Sequence, residues 1–253
     1  MKSKILCITG MHRSGTSLTA SWLQKCGLHL DNGNLMGRSI GNIKGHFEDL
    51  DFVNVHSRII KKKIPCSNGW IVDDIDKIFF QEEDLKEVNK LLKVRNEKFD
   101  IWGWKDPRST LFLNQWKMIK PDLKFIIVWR NPYEVVNSLK SRYKKSNNTI
   151  DKISLIKAYK VWINYNTSIL NFYKLFQDDC ILINIKDLFS MDKDILDYIN
   201  YRFDINLRYY PIKKLVENNL LSDYEPFLRD KLIAAFLKIK NLENELTSLS
   251  FKK

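Results

Sequence analysis

The sequence predicts an α/β fold: a central, mainly parallel sheet flanked by helices, opened by a phosphate-loop turn and closed by a helical C-terminal segment. Three observations carry this expectation. Short apolar runs end at Thr9, Trp104 and Trp129, and a basic residue follows each one closely (Arg13, Lys105 and Arg130). Helix-patterned stretches separate these runs, which implies crossover connections between parallel strands. Gly10 and Gly15 bracket a four-residue loop between the first run and the first helix. In a sheet of this kind ligands gather at the carboxyl ends of the strands, and those ends are where the basic residues stand.

The elements follow in order. Lys4 to Thr9 is a short buried strand, and from Thr16 the pattern turns helical, with Leu18, Trp22 and Leu23 apolar. Residues 31–70 are rich in Gly, Asn and charge, and read as a loop leading into a helix from about Asp49 to Lys61. Gln81 to Asn96 is helix-prone, with acids early and Lys93 and Arg95 late, matching the helix dipole. Phe99 to Trp104 is an aromatic strand, and Lys124 to Trp129 (KFIIVW) is the clearest buried strand. Pro132 suits the first turn of a helix over Tyr133 to Lys145. A long helix over Asp151 to Phe176 and a strand over Cys180 to Ile185 complete the alternation. Beyond Ser222, Leu228, Leu232, Phe236, Ile239, Leu242 and Leu246 recur three or four apart. They suit a helix packed on its own domain or, alternatively, a seam for a homodimer through the C-terminal helix. With no repeat and no low-complexity linker, residues 1–253 read as one domain: a core over about 4–190 and a helical extension over about 191–253.

Composition narrows the class. The chain has 253 residues, 44% of them hydrophobic and 28% charged, ordinary values for a globular protein with a full core. No apolar run is long enough to span a bilayer, and the start moves directly into the first strand without a signal peptide. Cys7, Cys26, Cys66 and Cys180 are scattered without CxxC or Cys/His spacing, so neither a disulfide framework nor a zinc site is expected, and a reducing cytoplasm is the simpler home. A net charge of +12 attracts anions, but no nucleic-acid motif accompanies it. A lysine-rich surface around a small anionic ligand accounts for the charge better than nucleic acid does.

The loop from Gly10 to Thr16 aims successive backbone N–H groups and a helix N-terminus at one point, which makes an anion site. A nucleotide-hydrolysing loop would read G-x-x-x-x-G-K-[ST], with the lysine on the terminal phosphates. Thr16 stands where that lysine belongs, and the nearby cation is Arg13, inside the loop.

Gly10-Met11-His12-Arg13-Ser14-Gly15-Thr16-Ser17-Leu18 resembles the 5′-phosphosulfate loop of sulfotransferases that use 3′-phosphoadenosine 5′-phosphosulfate (PAPS), in the form found in bacterial carbohydrate and tyrosylprotein enzymes. Ile126 to Pro132 followed by Ser138 resembles the 3′-phosphate site of the same family, and Gly103 to Arg108 its K-D-P segment. The resemblance covers roughly residues 4–190. It implies a P-loop-like sulfotransferase fold and transfer of a sulfuryl group from PAPS to an acceptor hydroxyl, leaving 3′-phosphoadenosine 5′-phosphate, with no metal. Backbone N–H groups of Ser14 to Ser17 (Ser14, Gly15, Thr16, Ser17) and the hydroxyls of Thr16 and Ser17 are then expected to cradle the phosphosulfate. Arg13 would stabilise the departing phosphate, Lys105 would reach the sulfuryl group, and Arg130 and Ser138 would hold the 3′-phosphate.

The acceptor proton needs a base. Glu48, in Gly45-His46-Phe47-Glu48-Asp49, is the first choice from a similar segment in related enzymes. His46, in a slot that is aromatic in those relatives, competes, because an imidazole titrates near neutrality. A saccharide or glycoconjugate is the expected acceptor, contacted by residues 31–47 and 146–151. Two rivals stand beside this reading: a P-loop kinase or nucleotidase acting on a small acceptor, and a non-enzymatic polyanion- or RNA-binding protein driven by the +12 charge.

Overall fold

The computed structural model describes residues 3–30, 32–37, 45–64, 71, 75–146, 153–215 and 224–252. Strands β1 (Lys4–Thr9), β2 (Ile101–Lys105), β3 (Lys124–Trp129) and β4 (Cys180–Asn184) form one sheet in the order β2-β1-β3-β4. All three pairings are parallel, as the alternation of strands and helices predicts. The register sets Ile8 beside Lys105 and Thr9 beside Ile127, so the carboxyl ends of β1, β2 and β3 share one edge.

Both faces of the sheet are buried, which is why its strands read as continuous apolar runs. Cys7, Trp104, Phe125 and Ile127 look into one core, under helices α2 (Leu50–Lys63), α3 (Glu82–Asn96), α4 (Leu113–Ile119), α5 (Pro132–Ser146) and α6 (Leu155–Leu175). Leu6, Ile8, Ile126 and Val128 look into the other, under α1 (Thr16–Lys25), α7 (Ile185–Ser190) and α8 (Asp192–Phe203). Trp102 and Trp104 are core residues: the Phe52 ring stacks on Trp104 at 4.3 Å, and Trp116 lies 4.8 Å from the same indole.

The helix boundaries follow local chemistry. Asp49 caps α2 by accepting from the Asp51 N–H, so the helix starts one residue after the expected carboxylate. Gln81 and Asp84 form a reciprocal cap at α3, and Ser154 caps α6 through the Lys157 N–H, which shortens the expected long helix at its start. Ile185 belongs to α7 rather than to the last strand, because the Asn184 side chain accepts from the Lys186 N–H and opens a helix there. The C-terminal periodic stretch divides into α9 (Leu228–Phe236) and α10 (Ile239–Leu249), separated at Lys238 by a left-handed backbone with φ 53°. Ile239 and Leu246 are buried and Leu242 packs on the core, whereas Leu228, Leu232 and Phe236 face outward. No described helix is long and apolar enough to cross a membrane.

Candidate functional site

The loop between β1 and α1 is held in shape by its glycines. Gly10 has φ 143°, and a Cβ there would lie 2.0 Å from the Val128 carbonyl oxygen; Gly15 has φ 96° and abuts the Ile185 side chain. Gly10→Ala is therefore expected to cost about 1–3 kcal/mol for the backbone alone, with overlap against β3 in addition. Urea unfolding of the variant measures it, and a loss under about 1 kcal/mol would contradict this account of the loop.

Helix α1 begins bare. Gly15 offers no side-chain cap, and no acid occupies the first turn, so the orphan N–H groups of the helix N-terminus and its partial positive charge point into the loop. Among the described residues the buried Ser14 hydroxyl has no hydrogen-bond partner, the kind of group that an anion would satisfy. The Ser14 N–H donates to the Met11 carbonyl at 3.1 Å and closes the turn. Thr16 is buried at the head of the helix, and the Ser17 hydroxyl donates to the His46 carbonyl at 3.0 Å.

Three arginines gather beside this loop. Arg13, at φ 70°, donates from Nε to the Ser138 hydroxyl at 2.8 Å, which joins the first motif directly to the second. Burial pushes the Arg13 guanidinium down to about 10, and the charges of Arg142 and Arg130 push it further the same way. Arg130 spends Nε on Glu134 at 2.7 Å, and a guanidinium has four other N–H donors. Glu134, Ser138 and Arg142 recur at four-residue spacing along one face of α5. Arg142 was not among the expected residues, although its spacing from Ser138 was the available signal. Glu134 also pairs with Lys186 at 2.8 Å. Cations gathered in a half-buried cleft are poised for a multivalent anion.

Lys105 ends β2, in register with Ile8 of β1. It is buried, and its ammonium donates to the Ser17 hydroxyl at 3.1 Å, the His46 carbonyl at 3.0 Å and Glu48 Oε1 at 3.0 Å. An ammonium has three donors, and all three are spent. Lys105 thus tethers the 46–48 segment to α1 and is not a surface lysine.

Glu48 accepts from Lys105 and, through Oε2, from Arg108 at 3.3 Å. Arg108 also donates to Asp106 at 2.9 Å. Asp106 is fully buried and accepts a further bond from His56 Nδ1 at 2.7 Å. The Trp116 indole can only donate, and does so to His56 Nε2 at 3.0 Å, so the His56 proton sits on Nδ1 and faces Asp106. A continuous buried chain therefore runs from Trp116 through His56, Asp106, Arg108 and Glu48 to Lys105. Arg95 clamps the start of α2 from α3, with both terminal nitrogens on Asp49 and one also on Asp51 at 2.7 Å.

Burial alone would raise both acids of the chain. The charges of Lys105, His12 and Arg108 outweigh it at Glu48, and Arg108 and His56 outweigh it at Asp106, so both carboxyls lie below their ordinary 4.5 and 3.8. A carboxyl whose folded pKa is depressed adds stability that is present above the unfolded value and lost as pH falls through the folded one. Circular dichroism against pH should show stability holding down to about 4.5 and falling steeply beneath it, with a shallower fall for Glu48→Gln. An equal slope in the variant would contradict the assignment.

Two histidines flank this chain. His46 is half-buried, and burial pushes its imidazole below 6.5, leaving the ring neutral near pH 7. His12 is buried, edge-on to Tyr165 at 6.3 Å, and burial followed by Arg108 pushes it down to about 3. His29 packs on Phe99 at 3.6 Å, away from the loop. Residues 38–44 and 147–151, where acceptor contacts were expected, lie outside the described residues. Among the described residues no cluster of three or more His, Cys, Asp or Glu is arranged to hold a metal ion.

This architecture has counterparts among solved structures. A sulfotransferase from Alicyclobacillus acidocaldarius superposes with a TM-score of 0.56 over 98% of this chain and 96% of its own, at 14% identity. A sulfotransferase from Mycobacterium tuberculosis H37Rv does so with a TM-score of 0.55 over 98% of this chain and 77% of its own, at 12% identity. No protein-family model and no curated protein matches the chain in sequence. The fold is the sulfotransferase fold, as the two motifs imply.

Proposed function

We propose that the protein is a sulfotransferase that moves a sulfuryl group from PAPS to a hydroxyl of a saccharide or glycoconjugate. The observation that carries the reading is the convergence of Arg13, Arg130 and Arg142 with Ser138 beside the uncapped start of α1, within a sulfotransferase fold. PAPS carries negative charge at both ends of its ribose and needs two adjoining cationic pockets. The loop N–H groups of residues 15–17, the Ser14 hydroxyl and Arg13 would take the 5′-phosphosulfate, and Arg130 with Ser138 the 3′-phosphate.

When bound, PAPS supplies a sulfuryl group whose S–O bond to phosphate breaks as the acceptor oxygen bonds to sulfur, leaving 3′-phosphoadenosine 5′-phosphate. Arg13 would take the leaving side and offset the charge that develops there. The acceptor proton goes to His46, which is neutral and half-buried, while Glu48 stays ionised as the partner of Lys105 and Arg108. Glu48 thus positions the segment that carries the base. No divalent metal enters this scheme, since a sulfuryl group carries less charge than a phosphoryl. The buried thiols of Cys7, Cys26 and Cys180 suit a reducing compartment, and we place the protein in the cytoplasm.

Intact-mass screening of saccharide acceptors incubated with enzyme and PAPS should reveal the added sulfo group. His46→Ala should lower turnover by about 10²-fold, in the range of a general base, and Glu48→Gln by less. Because the base must be unprotonated, the wild-type rate should be flat near neutrality and decline as pH falls beneath the lowered His46 value. An inactive Glu48→Gln beside a normal His46→Ala would reverse the two roles. Phosphate transfer dependent on ATP and Mg²⁺ would favour the kinase reading instead.

A further inference from the structure

We infer that helix α9 is a docking helix for an anionic lipid bilayer surface. Leu228, Leu232 and Phe236 recur at four-residue spacing and are 73%, 63% and 85% exposed; Phe227, just before the helix, is 69% exposed. A helix that turns its apolar ridge outward inverts the usual arrangement, in which the apolar stripe faces the core. The helix's only acid is withdrawn from that surface. Asp230 is buried and accepts from the Tyr159 hydroxyl at 3.2 Å and the Tyr224 hydroxyl at 3.3 Å. Arg229 and Lys231 within α9, and Lys238 just after it, are exposed, against an exposed Glu225 ahead of Phe227; Lys240 pairs with Glu243 at 3.1 Å. The outward side therefore presents Phe and Leu flanked by cations, the combination that settles at the interface of a membrane carrying negative headgroups.

The same features disfavour other occupants. A second copy laid across the ridge would bring Arg229 and Lys231 against their own counterparts, with no acid on the helix to meet them. A nine-residue helix is only about 14 Å long, too short to bury the roughly 800 Å² per partner of a stable protein interface. A bilayer needs no such area, because inserted apolar side chains and headgroup attraction add separately.

The ridge is also fixed relative to the arginine cleft. Asp230 ties α9 to Tyr159 of α6, and one turn on, Trp162 of the same helix donates to the Arg130 carbonyl at 3.0 Å. Docking would hold the cleft and the lipid surface in one frame. This inference stands apart from the proposed chemistry and can fail without it.

The test is co-sedimentation with vesicles made of equal parts phosphatidylglycerol and phosphatidylcholine, against phosphatidylcholine alone. Wild type should bind the anionic vesicles at least tenfold better, and less well as salt rises. The double variant Leu232→Ser, Phe236→Ser keeps every charge and should lose that binding at least tenfold, with an unchanged Tm because both side chains are already exposed. Replacing Arg229, Lys231 and Lys238 by Gln should weaken it separately. Equal binding to both vesicle types, or full binding by the apolar double variant, would overturn the inference. So would a dimer in light scattering that the double variant dissolves, which would assign the ridge to a second copy.

Discussion

Arg13→Ala is expected to lower turnover by roughly 10²–10³-fold, the range measured for removing one donor that meets charge developing in a transition state. The side chain sits inside the loop at φ 70° and reaches Ser138. It is the cation that replaces the missing loop lysine. Burial and two neighbouring arginines hold its guanidinium down to about 10. The loss should fall mainly on kcat, since Arg130 and Arg142 remain to bind the nucleotide. Arg13→Lys should recover part of the rate by restoring charge without the planar fork. Steady-state kinetics with PAPS and a detected acceptor decide it, and near-normal kcat in Arg13→Ala would remove Arg13 from the mechanism.

The largest expected effect on stability comes from Asp106→Ala. This carboxylate is wholly buried and takes the Arg108 N–H at 3.0 Å, the Arg108 guanidinium at 2.9 Å and His56 Nδ1 at 2.7 Å. Its removal strands the His56 proton and leaves Arg108 with a longer contact to Glu48. Breaking a buried pair from one side costs about 3–5 kcal/mol, which for a chain of this size lowers Tm by about 10 °C. Asp106→Asn keeps the shape and some of the hydrogen bonds and should cost less. Differential scanning calorimetry of both variants measures the difference. A loss under about 1 kcal/mol for the alanine variant would mean that the buried chain adds little to stability.

The parts legible in the sequence were those governed by neighbours along the chain. KFIIVW reads as a strand because both faces of a parallel sheet are covered, and it occupies Lys124–Trp129 in the structure. Gly10 and Gly15 mark the loop because its positive φ angles of 143° and 96° favour glycine. What the sequence concealed depends on distant partners. Lys105 is saturated by residues 57 to 88 positions away, so no local pattern shows that its ammonium is spent. The difference between Glu48 and His46 is likewise set by Lys105 and Arg108. Periodicity at Leu228, Leu232 and Phe236 reveals a helical face without saying which way it points, and the left-handed turn at Lys238 then separates that face from the buried one on α10.

The central claim is that Arg13 and Arg130 serve one bis-phosphorylated adenosine in a single cleft. Thermal unfolding with 3′-phosphoadenosine 5′-phosphate, compared with AMP and with ATP plus Mg²⁺, tests it most directly, because a ligand that binds only the native state raises Tm. The bis-phosphate should raise Tm most in wild type, and its advantage over AMP should vanish in Arg130→Ala. Equal or greater stabilisation by ATP with Mg²⁺, or an undiminished advantage in Arg130→Ala, would contradict the account.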